Sequence, residues 1–152
     1  DAQHHILFQN NSGNSVGTIT CTTTATSYNT SSDYRLKTAV TYDWDATSRL
    51  KQLKPARFKW ISDGDNAVFV DGFLAHECGA VPEAISGTKD AMMDEEYEVS
   101  AEEKDADGNV TKEAVMGTRS VPDYQGIDQS KLVPLLVKTI LELEARITAL
   151  EA

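Results

Sequence analysis

The stretch QSKLVPLLVKTILELEARITALEA, residues 129–152, decides the architecture of one end of the chain. Val133, Ile140 and Ile147 recur every seven residues, and Leu136, Leu143 and Leu150 follow each of them by three. This spacing draws a narrow apolar stripe along a helix, with β-branched residues at a and leucine at d of a heptad. Arg146 falls at a g position and Glu151 at the following e, where an interchain ion pair would sit. Asp128 or Ser130 can cap the helix start. Pro134 is tolerated because first-turn amides have no intrahelical acceptor. The same residues also suit a helix packed on its own domain. A stripe this narrow, running to the last residues, favours self-association instead. The a and d identities alone point to a dimer, and three heptads leave the oligomer number open.

Upstream, residues 31–127 carry both helix and strand signals, so the fold class reads as α+β. Asp43 to Leu53 suits a short helix that must stop before Pro55. Arg57 to Ile61 and Ala67 to Val70 alternate as strands around a turn at Asp63, Gly64, Asp65 and Asn66. Phe73 to Glu77 is expected to enter the core as helix or strand, and Trp44 and Trp60 are expected to be core. Tyr97 to Glu103 and Val110 to Val115 read as a β-hairpin arm turning at Asp107, Gly108 and Asn109. Its acidic run, Asp94, Glu95, Glu96 and Glu98, reads as a solvated face.

Residues 1–30 are rich in Thr, Ser and Asn and nearly free of charge. Ile6 to Phe8 and the segment holding Val16 and Ile19 read as strands joined through Asn10 to Asn14. So small a β segment cannot bury a core alone and calls for a larger body or a partner chain.

The formal net charge of −10 over 152 residues argues against nucleic acid as a partner, since phosphate binding needs a concentrated positive surface. No apolar run reaches the roughly 20 residues that span a bilayer, so no membrane partner is expected. The polar start, Asp1 to His5, lacks the basic and apolar regions of a signal peptide. The absence of an initiating Met leads us to expect a piece of a longer chain. Cys21 and Cys78 are far apart and lack CxxC spacing, so they read as plain thiols rather than a zinc site or a disulfide framework.

The chemistry concentrates in Ser31, Ser32, Asp33, Tyr34, Arg35, Leu36 and Lys37. A serine hydroxyl becomes a useful nucleophile only when a base removes its proton. A lysine serves as that base when desolvation or a nearby cation lowers its proton affinity. Lys37 lies five residues after Ser32, within reach around a tight turn. Arg35 is placed to lower the lysine's proton affinity, and Asp33 to oppose that or to hold the loop. Taken bare, the spacing equally suits a polar turn. His76 and Glu77 are candidate supporting groups, although a histidine flanked by Phe73, Leu74 and Ala75 more often packs. The carboxylates Asp43 with Asp45, and Asp63 with Asp65, fall short of a calcium loop and read as turn chemistry. No metal or cofactor is expected.

The run YNTSSDYRLK (28–37) resembles the start of the C-terminal intramolecular chaperone domain of endosialidases and of phage tail fibers, neck appendages and tail spikes. The resemblance continues through FKW (58–60), GFLAHE (72–77) and YQGIDQSKLVPLLVKTILELEARI (124–147). It implies a β-structured fiber end over residues 1–31 and a chaperone domain over 32–152, whose helix at 129–152 joins an interchain coiled coil in a homotrimer. It implies an autoproteolytic serine-type activity, with Ser32 as nucleophile, Lys37 as base and Ser31–Ser32 as the bond broken. Ser31 is the rival nucleophile. The partners implied are the chain itself and the preceding fiber segment. Synthesis would be in the cytoplasm of the bacterial host, with the fiber retained in the virion tail and the chaperone released. The rival expectation is an uncleaved tip that binds a receptor or only trimerises.

Overall fold

The computed structural model describes residues 3–152, with side chains from residue 6 onward. Asp1, Ala2 and the side chains of His4 and His5, on which the reading of the N-terminus rests, lie outside the described residues. About 29% of the chain is helix and 33% strand, a mixed composition consistent with the α+β class. The chain divides into two compact units, Asp1–Trp44 and Asp45–Ala152, so the first runs past Ser31–Ser32 and takes in residues 32–44.

The first unit is an antiparallel sheet of β1 (Gln3–Gln9), β2 (Ser15–Cys21) and β3 (Thr26–Thr30), in that order. The β1–β2 loop is built by Asn10, whose Oδ1 accepts the amides of Ser12 and Asn14, both at 3.0 Å. Gly13 closes it at φ 77°, a left-handed conformation that glycine adopts without steric cost. The sequence reading places two strands here, and the structure adds β3. Its apolar content is one tyrosine, so periodicity does not mark it. Pairing with β2 does, from Gly17↔Thr30 to Cys21↔Thr26. Ile6, Leu7, Phe8, Val16 and Tyr28 all remain exposed, so this sheet buries little by itself.

The second unit opens with α1 (Ala46–Leu50), shorter than the expected 43–53. Asp45 caps it by accepting Ser48 N at 2.9 Å. β4 (Ala56–Phe58) pairs antiparallel with β5 (Val70–Gly72) across a 3₁₀ turn at Ile61–Asn66, so the first strand ends earlier and the second begins later than expected. A further 3₁₀ turn spans Ala75–Glu77, and another spans Pro82–Ala84. β6 (Ile85–Ser86) leads to the arm, where β7 (Met92–Ser100), β8 (Glu103–Lys104), β9 (Val110–Lys112) and β10 (Val115–Pro122) form a longer hairpin than expected. β7 pairs with β10 and β8 with β9. The arm is a solvated element, as its charge predicts, and Asp94, Glu96 and Glu98 alternate onto one of its faces. β11 (Gly126–Ile127) returns to β6. Asp128 then caps a 3₁₀ turn (Gln129–Leu132) that runs into α2 (Val133–Glu151).

The core of this unit is small: Ala46, Cys78, Val81, Ala84, Leu132 and Leu135. Burial and the adjacent Glu77 carboxylate push the Cys78 thiol's pKa up, which suits an inert core residue. α2 enters this core through Leu132, Leu135 and Thr139, spaced as one helix face. One turn further, Glu142 accepts Ala46 N at 2.9 Å, Thr47 N at 2.8 Å and Thr47 Oγ1 at 2.6 Å. A carboxylate from the far end of the chain therefore satisfies the open amides of α1. The heptad residues lie on a different face. Leu135 is 2% exposed, whereas Ile140 is 63% and Ile147 is 55% exposed. Two expectations fail. Trp60 is 59% exposed and stacks edge-on against Phe58 at 5.2 Å, because its strand ends at Phe58 and the following turn carries it outward. Trp44 is only half-buried.

Thr139 Oγ1 is buried without a hydrogen-bond partner. Thr139→Val keeps the shape and removes an unsatisfied group, so it should raise stability by about 1 kcal/mol in chemical denaturation. Hydrogen bonds from Thr47 and Ala46 hold the Glu142 carboxyl below its ordinary value of 4.5. A depressed folded pKa contributes stability above the unfolded value and loses it as pH falls through the folded one. Glu142→Gln should therefore lower the melting temperature at pH 7 and flatten its decline on acidification below about pH 4.5.

Candidate active site

The chain leaves the first unit's sheet at Ser31. Ser31 N donates to Val16 O at 3.1 Å, which continues the β2–β3 ladder by one residue. The Ser31 hydroxyl also donates to Val16 O at 3.3 Å. From Ser32 onward the chain turns away and its bonds close on one another. The Ser31–Ser32 peptide is thus the joint between the ladder and the loop.

The loop is a 3₁₀ turn at Tyr34–Leu36, with Leu36 N donating to Asp33 O and Lys37 N to Tyr34 O, each at 3.1 Å. Asp33 starts it. Its Oδ1 accepts Arg35 N at 2.9 Å, the role for which Asp is favoured at helix starts. The same carboxylate receives the Arg35 guanidinium as a fork, Nε to Oδ1 at 2.9 Å and Nη2 to Oδ2 at 2.8 Å. Arg35 therefore holds the Asp33 carboxyl below the usual carboxylate range, and the charge of Lys37 adds a smaller effect in the same direction. The guanidinium is raised in turn by Asp33.

Lys37 follows the turn with extended backbone, φ −119° and ψ 144°. Its side chain runs back so that Nζ lies 2.9 Å from Ser32 Oγ. In this arrangement the ammonium donates to the hydroxyl oxygen. Loss of one ammonium proton reverses the bond, with the hydroxyl donating to the amine, which is the contact a general base needs. Ala39, two residues on, has φ 51°. A left-handed alanine costs about 1–2 kcal/mol and bends the chain sharply after the lysine. Nothing in the sequence flags it.

Of the site residues read from sequence, Ser31, Ser32, Asp33, Arg35 and Lys37 come together. One detail differs from expectation. Arg35 is bound to Asp33, so it is not a free cation acting on Lys37. Ser31 Oγ is occupied by Val16 O, which leaves Ser32 as the hydroxyl that meets the lysine. His76 and Glu77 lie in the second unit. There Glu77 pairs with Lys54 at 3.1 Å. His76 is exposed rather than packed, because the 3₁₀ turn at Ala75–Glu77 buries Cys78 and turns its neighbour outward. It borders an open apolar groove with Phe58, Trp60, Leu74, Tyr124 and Ile127, which sequence reasoning misses by assigning Trp60 to the core.

Among the described residues no helix is long and apolar enough to cross a membrane. No protein-family model matches the chain, and no curated protein matches it.

The Asp33 cap and fork hold a turn that is otherwise exposed. Asp33→Ala should leave the sheet intact and speed hydrogen exchange at the Arg35, Leu36 and Lys37 amides, with the β2 amides unchanged, as read by amide exchange.

Proposed function

We propose that this chain is an intramolecular chaperone for a β-structured fiber or spike of the phage-tail kind, which trimerises with its fiber and then cuts itself free at Ser31–Ser32. The observation that carries this reading is the 2.9 Å contact between Lys37 Nζ and Ser32 Oγ, beside a peptide bond fastened on its upstream side. The resemblance over residues 28–147 supplies the biological setting.

The chemistry proceeds in cis. Neutral Lys37 accepts the Ser32 hydroxyl proton as Oγ attacks the carbonyl carbon of Ser31. The cyclic tetrahedral intermediate collapses by breaking the C–N bond, and the lysine ammonium returns its proton to the departing Ser32 nitrogen. The acyl group of Ser31 is now esterified to Ser32 Oγ. Water then adds to the ester, releasing Ser31 as a carboxylate and Ser32 with its hydroxyl and a free amine. A cut at this joint leaves β1, β2 and β3 complete with the fiber.

The exposed surface supports oligomerisation. The chain exposes 12429 Å², whereas a self-sufficient folded monomer of 16.6 kDa exposes about 7,600 Å². Two separate compact units of its proportions would expose only about 9,000 Å². Val133, Leu136, Ile140, Leu143, Ile147 and Leu150 form an apolar stripe that the intramolecular face of α2 leaves free. Covering what remains exposed of them contributes roughly 1 kcal/mol per side chain. Enclosure also provides the trigger. An amine in water keeps its proton at neutral pH, and burial favours the neutral form. Assembly would thus convert Lys37 from donor to base. The site lies in Ser31 to Val40, all of which are exposed in the single chain, as this switch requires.

The same exposure favours a second reading, an uncleaved tip in which the loop stays hydrated. Incubation of the purified chain, followed by mass spectrometry and native mass, separates the two. Self-cleavage predicts a new N-terminus at Ser32 and a trimeric native mass. Ser32→Ala and Lys37→Met should stop cleavage and leave the trimer, while Ile140→Glu should prevent both assembly and cleavage. A wild-type chain that remains at full mass as a trimer supports the tip. Continued cutting in Ser32→Ala removes the proposed mechanism.

A further inference from the structure

We infer that Asp33 and Arg35 act as a charge-neutral positioning pair, setting both the reach of Lys37 toward Ser32 and the ease with which that lysine gives up its proton. This rests on the self-cleavage reading of the site.

The geometric part follows from the bonds. One carboxylate accepts three hydrogen bonds from a single residue, one from the backbone and two from the guanidinium fork. Together with the Leu36 N to Asp33 O bond, they fix how far the chain turns before Lys37. Five residues of unconstrained loop would hold two side chains within hydrogen-bond reach only a fraction of the time. A planar fork on a carboxylate restricts that freedom, and a lysine ammonium cannot reproduce it.

The electrostatic part follows from what else is near. Residues 6–31 contain no Asp, Glu, Lys, Arg or His, so the strand residues whose side chains are described bring no charged group to the site. Among the described residues of the first unit, the charged side chains are Asp33, Arg35, Lys37 and Asp43. The other titratable groups are the Cys21 thiol and the phenols of Tyr28, Tyr34 and Tyr42. Asp33 is the anion close enough to Lys37 to feel its charge. Left alone, that carboxylate would stabilise the ammonium and keep the base switched off. Arg35 pairs with it at 2.8 Å and so offsets part of its charge. The arginine's role is therefore indirect. It does not repel the lysine proton by itself; it weakens the anion that would retain it.

Neutralising either partner should then move the reaction in opposite directions along the pH axis. Arg35→Gln bares the Asp33 carboxylate beside Lys37. The pH at which self-cleavage reaches half its maximal rate should rise, and cleavage at pH 7 should slow by about three- to tenfold. Asp33→Asn retains a side-chain acceptor for the Arg35 amide but leaves the guanidinium unneutralised. The half-maximal pH should fall. Arg35→Lys keeps the charge and loses the fork, so its half-maximal pH should stay near wild type while the plateau rate drops.

The experiment is a cleavage time course of the full 152-residue chain and these three variants across pH, with native mass confirming equal assembly. Opposite displacements for Arg35→Gln and Asp33→Asn support the inference. Profiles that keep their midpoint while losing amplitude, or variants that cleave like wild type, overturn it and leave the dyad untouched. If Lys37→Met cleaves as fast as wild type, the underlying reading fails instead.

Discussion

A shortage of interior governs this molecule. Among the described residues six apolar side chains are buried, while thirty large apolar ones stay exposed, from Ile6 on β1 to Leu150 on α2. Each exposed group forgoes burial that a folded chain ordinarily gains, so the individual units gain little stability from their own packing. What the second unit has is a compact junction where α1, the 78–84 segment and the first half of α2 meet. Glu142 fastens that junction by holding the two leading amides of a helix only five residues long. A helix that short does not persist by propensity. Its position, and that of Arg49, which donates to Ala80 O at 2.7 Å, comes from tertiary contacts.

α2 shows how one helix serves two demands. Leu132, Leu135, Thr139 and Glu142 point into the unit, and the heptad positions lie on the neighbouring, largely exposed flank. The two sets are interleaved in sequence and separate in space because a helix turns 3.6 residues at a time. The heptad was legible in the sequence because its period is regular and its residues uniform. The inward face was not, because it includes a threonine and a glutamate, which hydropathy assigns to solvent.

The same distinction explains the rest of what sequence could and could not reveal. The first hairpin and the arm were legible from turn residues, Asn10 to Asn14 and Asp107 to Asn109, whose chemistry is local. β3 was not, because Thr26–Thr30 becomes a strand by pairing with β2 rather than by pattern. Trp60 was misread because aromatic residues normally signal core. Here the strand stops at Phe58 before the tryptophan can turn inward. In the site, the serine, lysine and their spacing were visible, but the bare spacing was uninformative. The distance between them rests on a turn capped by Asp33 and on a fork to Arg35. Neither of these follows from counting residues.

The placement of the loop bears on why a self-cutting chain would need assembly at all. In the proposed mechanism Lys37, already in contact with Ser32, has little left to gain from proximity. On that mechanism the remaining barrier is protonic, since an amine in water keeps its proton at neutral pH. Among the described residues of the loop the other cation, Arg35, is bound to Asp33 rather than free to expel that proton. Strands without charged side chains from residue 6 to 31 do not help either. The control left open is solvent. Removing water from the loop requires covering a surface that the single chain leaves bare, and the proposed trimer is what would cover it. On the proposed reading, a site complete in geometry and incomplete in environment would cut only after its partners arrive, and cleavage would record that assembly has taken place.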